Sequence, residues 1–153
     1  MTAELTDLSA TLEKQRQAVL VNLGGLSEEQ LTTISSVSAM PLLGIVQHLG
    51  YVERRWIHMG AAAQRHPGCY PPDPEREFSV EGRTRDEVVA AYREIANESD
   101  AIIASFQSGD APARTSAMGL NIRQIVLHLI EETARHAGQA NVIRESIDGS
   151  SGI

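Results

Sequence analysis

Four stretches of the chain repeat apolar residues at helical spacing. Leu5, Leu8, Leu12, Val19 and Leu23 recur at intervals of three, four and seven and predict a first helix over 4–23, ended by Gly24–Gly25. Ser27-Glu28-Glu29-Gln30 then forms a capping box that opens a short turn. Leu42, Ile45, Val46, Leu49, Val52, Trp56 and Met59 make a second stripe. Its helix starts between Ser38 and Pro41, because a first turn loses nothing by lacking an N–H. Thr84-Arg85-Asp86-Glu87 is another capping box, and Val88, Val89, Ala91, Tyr92, Ile95, Ile102 and Ile103 carry a third helix to Ser105. Asn121 caps a fourth, whose stripe runs through Ile122, Ile125, Val126, Leu129, Thr133, His136, Ala140, Ile143 and Ile147 to a stop at Asp148–Gly149.

Residues 65–82 are rich in proline and charge and predict a long crossover loop. Four amphipathic helices that must bury their stripes give an all-α four-helix bundle. Two short connections and one long crossover, between the second and third helices, fit this order. The expected unit is a single domain over 1–153.

Composition narrows the function classes. With only two Phe, three Tyr and one Trp, the core must be aliphatic, as expected of helices rather than sheets. The net charge is −7 and the only close basic pair is Arg54–Arg55, so the dense cationic face that nucleic acid requires is missing. Cys69 is the only cysteine, which excludes an internal disulfide. The N-terminus lacks the apolar core of a signal peptide, and no apolar run approaches the ~18 residues of a membrane span. A cytoplasmic protein with no membrane or nucleic-acid partner is expected.

The candidate chemistry lies on the second and fourth stripes. Glu132 and His136 are four residues apart and project to one spot on the fourth helix, with His136 on the face turned to the bundle interior. His48, among Ile45, Leu49 and Val52, completes a His/Glu/His set if the two helices are neighbours. A carboxylate meeting imidazoles indoors is costly unless something compensates it, and a divalent ion does so. Three protein ligands would leave an open position, as in catalytic zinc sites. His128 is also four residues from Glu132, but it stands roughly 12 Å along the axis from His136, too far for the two to share an ion. Taken singly, each of these residues has a plain structural reading. Glu53, Arg54 and Arg55 read as the polar face of the second helix, and Trp56 as core or interface. His58 and His66 read as exposed, Arg135 and Arg144 as solvated, and Cys69 as part of a polar loop.

Three stretches resemble the DinB-like superfamily of metal-binding four-helix proteins. They are PLLGIVQHLGYVERRW at 41–56, FSVEGRTRDEVVAAY at 78–92 and HLIEETARHAGQANVIRESIDG at 128–149. Many such proteins carry two His four apart in the last helix, the second followed by x-G-Q. Here Glu132 replaces the first, and His136 precedes Ala137-Gly138-Gln139. This resembles the His/Glu/His branch that includes the zinc-binding mycothiol-dependent maleylpyruvate isomerase. The resemblance and the stripe together favour His136 over His128. It implies Zn²⁺, with Ni²⁺, Fe²⁺ or Mn²⁺ as alternatives, held by His48, Glu132 and His136. It further implies a low-molecular-weight thiol such as mycothiol, an electrophilic partner and S-transfer, in a protein that pairs as a homodimer. A non-catalytic metal-binding stress-response module and a metal-assisted hydrolase, with Glu131 or Glu53 as base, are the competing expectations.

Overall fold

The computed structural model describes residues 1–115 and 119–150; residues 116–118, in the expected loop before the last helix, and 151–153 lie outside the described residues. Helix α1 spans Ala3–Leu20, with the Thr2 hydroxyl accepting the Leu5 N–H at 3.3 Å, and tightens to a 3₁₀ turn over Val21–Leu23. Gly25 comes next in the left-handed region at φ 77°. The Ser27–Gln30 capping box opens the short α2, Glu28–Thr32. Helix α3 spans Leu42–Glu53, with Pro41 as its N-cap residue, and continues as a π-helical segment over Arg54–Ala61. Helices α4, Arg85–Ala104, and α5, Ile122–Asp148, begin at the expected capping boxes of Thr84 with Glu87 and Asn121 with Gln124. The described residues contain no strand, so the all-α expectation is met.

Helix α1 packs on α5 and α4, and α3 packs on α4 and α5. Glu4 pairs with Arg123 and Asn22 with Asn141, so α1 and α5 run the same way. Gln47 meets Arg83 and Arg54 meets Glu98, so α3 and α4 are also parallel. Two consecutive parallel helices need a connection that returns along the bundle. Residues 65–82 make it through two 3₁₀ turns, Pro67–Cys69 and Pro74–Arg76. Helices α3 and α5 are antiparallel: His48 lies beside Glu132, and Trp56 beside His128.

The core is two apolar clusters. One gathers Leu23, Leu43, Leu49, Val88, Tyr92 and Ile143, the other Leu5, Leu12, Ile57, Ile103, Ile125 and Leu129. Each such fully buried side chain contributes roughly 1.5–3 kcal/mol. At levels between them the helices present buried polar residues, Arg16, Glu53, Ser99 and Thr133. Arg16 stands four residues after Leu12 and three before Val19, inside the stripe. Its Nε and Nη2 donate to the two oxygens of Glu53 at 2.8 Å each, and Nη1 donates to Asp100 at 2.9 Å. Fully forked pairing is what makes burial of these charges tolerable.

Several side chains therefore lie elsewhere than expected. Glu53 and Arg54 are buried rather than part of a polar face. The π-helical turns take one extra residue each and rotate the helix face beyond them, so Ile57, His58 and Ala61 face inward and Met59 is only partly buried. His58, expected at the surface, is 3% exposed, and Cys69, in the first turn of the crossover, is buried. Arg144, expected to be solvated, donates to the carbonyls of Asn22 at 2.9 Å and Gly24 at 2.7 Å, serving groups that the end of α1 leaves unpaired. His66 and Arg135 are exposed, as expected.

Candidate metal centre

Antiparallel packing of α3 and α5 brings together the three candidates read from the sequence. His48, Glu132 and His136 each offer a ligand atom, all within 4.8 Å of one another. Glu132 Oε1 lies 3.6 Å from His48 Nε2 and 3.3 Å from His136 Nε2. Bonds of about 2.0–2.1 Å at tetrahedral angles place donors about 3.3–3.4 Å apart, which both spacings to Glu132 approach, whereas the group as a whole spreads to 4.8 Å and the two imidazoles must draw together to share one ion. The side chains retain 12%, 19% and 10% exposure for His48, Glu132 and His136, enough for a small molecule to reach them.

Both imidazoles are held from behind. His48 Nδ1 lies 2.6 Å from Glu77 Oε1, and His136 Nδ1 lies 3.0 Å from Gln139 Oε1. A carboxylate oxygen only accepts, so the proton of His48 sits on Nδ1 and the Nε2 lone pair faces Glu132. This is the arrangement in which an outer carboxylate orients a histidine ligand. Burial pushes the His48 pKa below 6.5, the Glu77 hydrogen bond opposes the shift and His136 reinforces it, favouring the neutral ring that a cation needs. Glu77 is itself partly desolvated, but hydrogen bonds from Arg55 and His48 outweigh burial and keep its pKa below the ordinary value. Arg55 Nη2 donates to Glu77 at 2.7 Å, while its guanidinium lies over the Tyr70 ring at 5.2 Å.

Glu77 and Phe78 come from the crossover. The Phe78 ring stacks on His48 with centroids 4.4 Å apart. Gly44, one helical turn before His48, makes the approach possible: a Cβ there would lie 2.2 Å from the Phe78 carbonyl oxygen. Phe78 also lines a cavity of about 670 Å³ with Pro41, Val80 and Arg83. On the opposite side, Arg135 Nη1 donates to Glu132 Oε2 at 3.2 Å.

His128 does not join the group. Its ring packs on Trp56 at 4.0 Å, one turn before Glu132 on α5 and about two turns after His48 on the other helix. The bases expected for hydrolysis are also elsewhere: Glu53 is bound to Arg16, and Glu131 is 71% exposed and paired with Arg135. Glu77, Phe78 and Arg55 escaped the sequence reading because they follow no stripe. The one usable signal was Gln139, placed three residues after His136 so that it returns to the same ring.

The three side chains form a His/Glu/His group that could hold a metal ion. Among the described residues no helix is long and apolar enough to cross a membrane. No curated protein matches the chain closely enough to count as a relative. Residues 7–149, nearly the whole chain, match the family described as Mycothiol-S-transferase, and the protein belongs to this DinB-like family.

Proposed function

We propose that residues 1–153 act as one cytoplasmic domain that transfers a low-molecular-weight thiol, mycothiol first, to a small electrophile. His48, Glu132 and His136 would hold a divalent ion, with Zn²⁺ best suited to two imidazoles and a carboxylate. The observation that carries this reading is the convergence of two Nε2 atoms and one carboxylate oxygen in a member of the mycothiol S-transferase family. When bound, the ion supplies Lewis-acid character that lowers the pKa of a thiol at the open position.

The remaining work falls to the chain. The ligand set offsets only one of two positive charges, so the centre favours an anionic sulfur over a neutral molecule. Glu77 and Gln139 fix both imidazoles by their Nδ1 atoms and keep the lone pairs aimed inward. Phe78, stacked on His48, excludes water there, and Trp56 with His128, about two turns along from His48, offers further apolar surface to the reactants. In the reaction, the thiol sulfur bonds to the electrophilic carbon, the thiol proton passes to solvent, and the leaving group departs with its bonding electrons.

Elemental analysis of protein purified without a metal-chelating column, followed by conjugation of mycothiol to monobromobimane, tests this. The expected result is stoichiometric metal and a thioether-forming rate lost on metal removal and in His136→Ala. A rate equal to the uncatalysed background with metal bound would leave the non-catalytic metal-binding reading in its place.

A further inference from the structure

A cavity of about 210 Å³ lies in the groove between α3 and α4, beneath the first turn of the crossover. It shares no lining residue with the His48, Glu132 and His136 group. Three cationic or imidazole side chains line it, Arg54, Arg83 and His66, and no carboxylate does, although the chain carries a net charge of −7.

The donors on this wall are incompletely used. Arg54 is 7% exposed, and Glu98 at 2.8 Å and His58 at 3.3 Å both engage its Nη1. Nε and Nη2 remain for another acceptor. Gly68 leaves the space beside Nε open: its missing Cβ would stand 3.7 Å from that atom. Arg83 is half-buried, and its Nη1 donates to Gln47 Oε1 at 2.6 Å, with no ion pair among the described residues. His66 Nδ1 accepts the Gly68 N–H at 2.9 Å, which places the proton of the neutral ring on Nε2 as a further donor.

Apolar side chains, Val46, Val88 and Ile95, make up part of the remaining lining. Gly50 keeps the groove from closing, since a Cβ would meet Ile95 Cδ1 at 3.1 Å. Guanidinium groups withdrawn from water are stabilised by an acceptor that takes two parallel N–H bonds, as a carboxylate does. The volume lies below the roughly 300–1,000 Å³ of drug-sized pockets. We infer that this groove binds a small organic acid, its carboxylate held by Arg83 and Arg54 and a short apolar body lying against Val46, Val88 and Ile95. The apolar lining selects an organic acid over inorganic phosphate, which presents the same oxygens without a body to bury.

The test is calorimetric titration of the full-length protein with benzoate, with its neutral isostere benzamide, and with inorganic phosphate. Saturable benzoate binding is expected, with benzamide and phosphate each weaker by about tenfold or more, the scale of a lost charge-assisted hydrogen bond. Arg83→Met should weaken benzoate by a similar factor. Ala91→Leu, which fills the groove from α4 and leaves every charge in place, should abolish binding. Both variants retain the Arg54–Glu98 pair and are checked for folding by thermal melts. Absence of saturable benzoate binding at millimolar concentration, benzamide binding as tightly, phosphate binding more tightly, or benzoate affinity unchanged in both variants would each overturn the inference.

Discussion

Glu77, on a loop, grips the histidine that α3 offers to the metal centre: its Oε1 lies 2.6 Å from His48 Nδ1. A helix sets where His48 starts, but χ1 and χ2 leave several ring orientations open. The carboxylate selects one of them, and Arg55 holds the carboxylate in turn.

Replacing Glu77 by Gln removes the charge and keeps the shape. Outer-shell partners of histidine ligands typically contribute 10–100-fold to metal affinity, and a loss of about that size is expected. Competition with a chromophoric chelator measures it. A metal affinity equal to the parent protein's would show that Glu77 only ties down the loop.

Gly44→Ala tests whether the crossover must approach α3 closely. The new Cβ would lie 2.2 Å from the Phe78 carbonyl oxygen, a backbone atom that can yield only if the segment moves. Lower thermal stability and weaker metal binding should appear together, even though Ala favours helix over Gly by roughly 1 kcal/mol. A more stable protein with undiminished metal affinity would contradict the close approach.

His136→Ala should lose stoichiometric metal, whereas His128→Ala should keep it, because the His128 ring packs on Trp56 instead of facing Glu132. Metal content by elemental analysis separates the two. Loss in the second variant alone would move the centre one turn along α5.

Arg16 and Glu53 are both withdrawn from water and bound by two 2.8 Å hydrogen bonds. Arg16→Met leaves Glu53 buried without its partner and should cost about 3–5 kcal/mol in urea unfolding. Adding Glu53→Leu should recover part of that loss, since removing both charges also removes their desolvation cost. A double variant no better than the single one would mean that the loss arises from Asp100 and Glu13, which Arg16 also binds, and not from an orphaned Glu53.

His58 supplies a pH dependence away from the metal centre. Burial first, and then the neighbouring Arg54 guanidinium, depress its pKa below 6.5. Between that depressed value and 6.5 the unfolded chain binds the extra proton, so stability rises with pH through this window and falls on acidification. In metal-free protein, unfolding free energies measured at several pH values between about 5 and 8 should show a shallower slope in His58→Gln. An unchanged slope would place the titration on another residue.

The apolar repeats and caps by themselves determined which segments are helical, since each is a local property of backbone and side-chain spacing. The boxes at Thr84 and Asn121 start helices where expected, the box at Ser27 opens a short helix where only a turn was expected, and Gly25 and Gly149 follow helix ends in left-handed geometry. The convergence of His48, Glu132 and His136 was legible too, because His136 stands on the inward stripe, Glu132 lies one turn before it and His48 lies beside the second stripe. Arg16, in the gap between Leu12 and Val19, is not read as buried from the sequence. Its partner Glu53 reads as part of a polar face, because helix charges ordinarily face water. Only the tertiary structure decided that α3 continues through a π-helical segment and turns His58 inward, and that Glu77 and Phe78 return from the crossover to hold His48. These are long-range outcomes. They depend on which surfaces meet once the bundle closes, and no window of neighbouring residues encodes them.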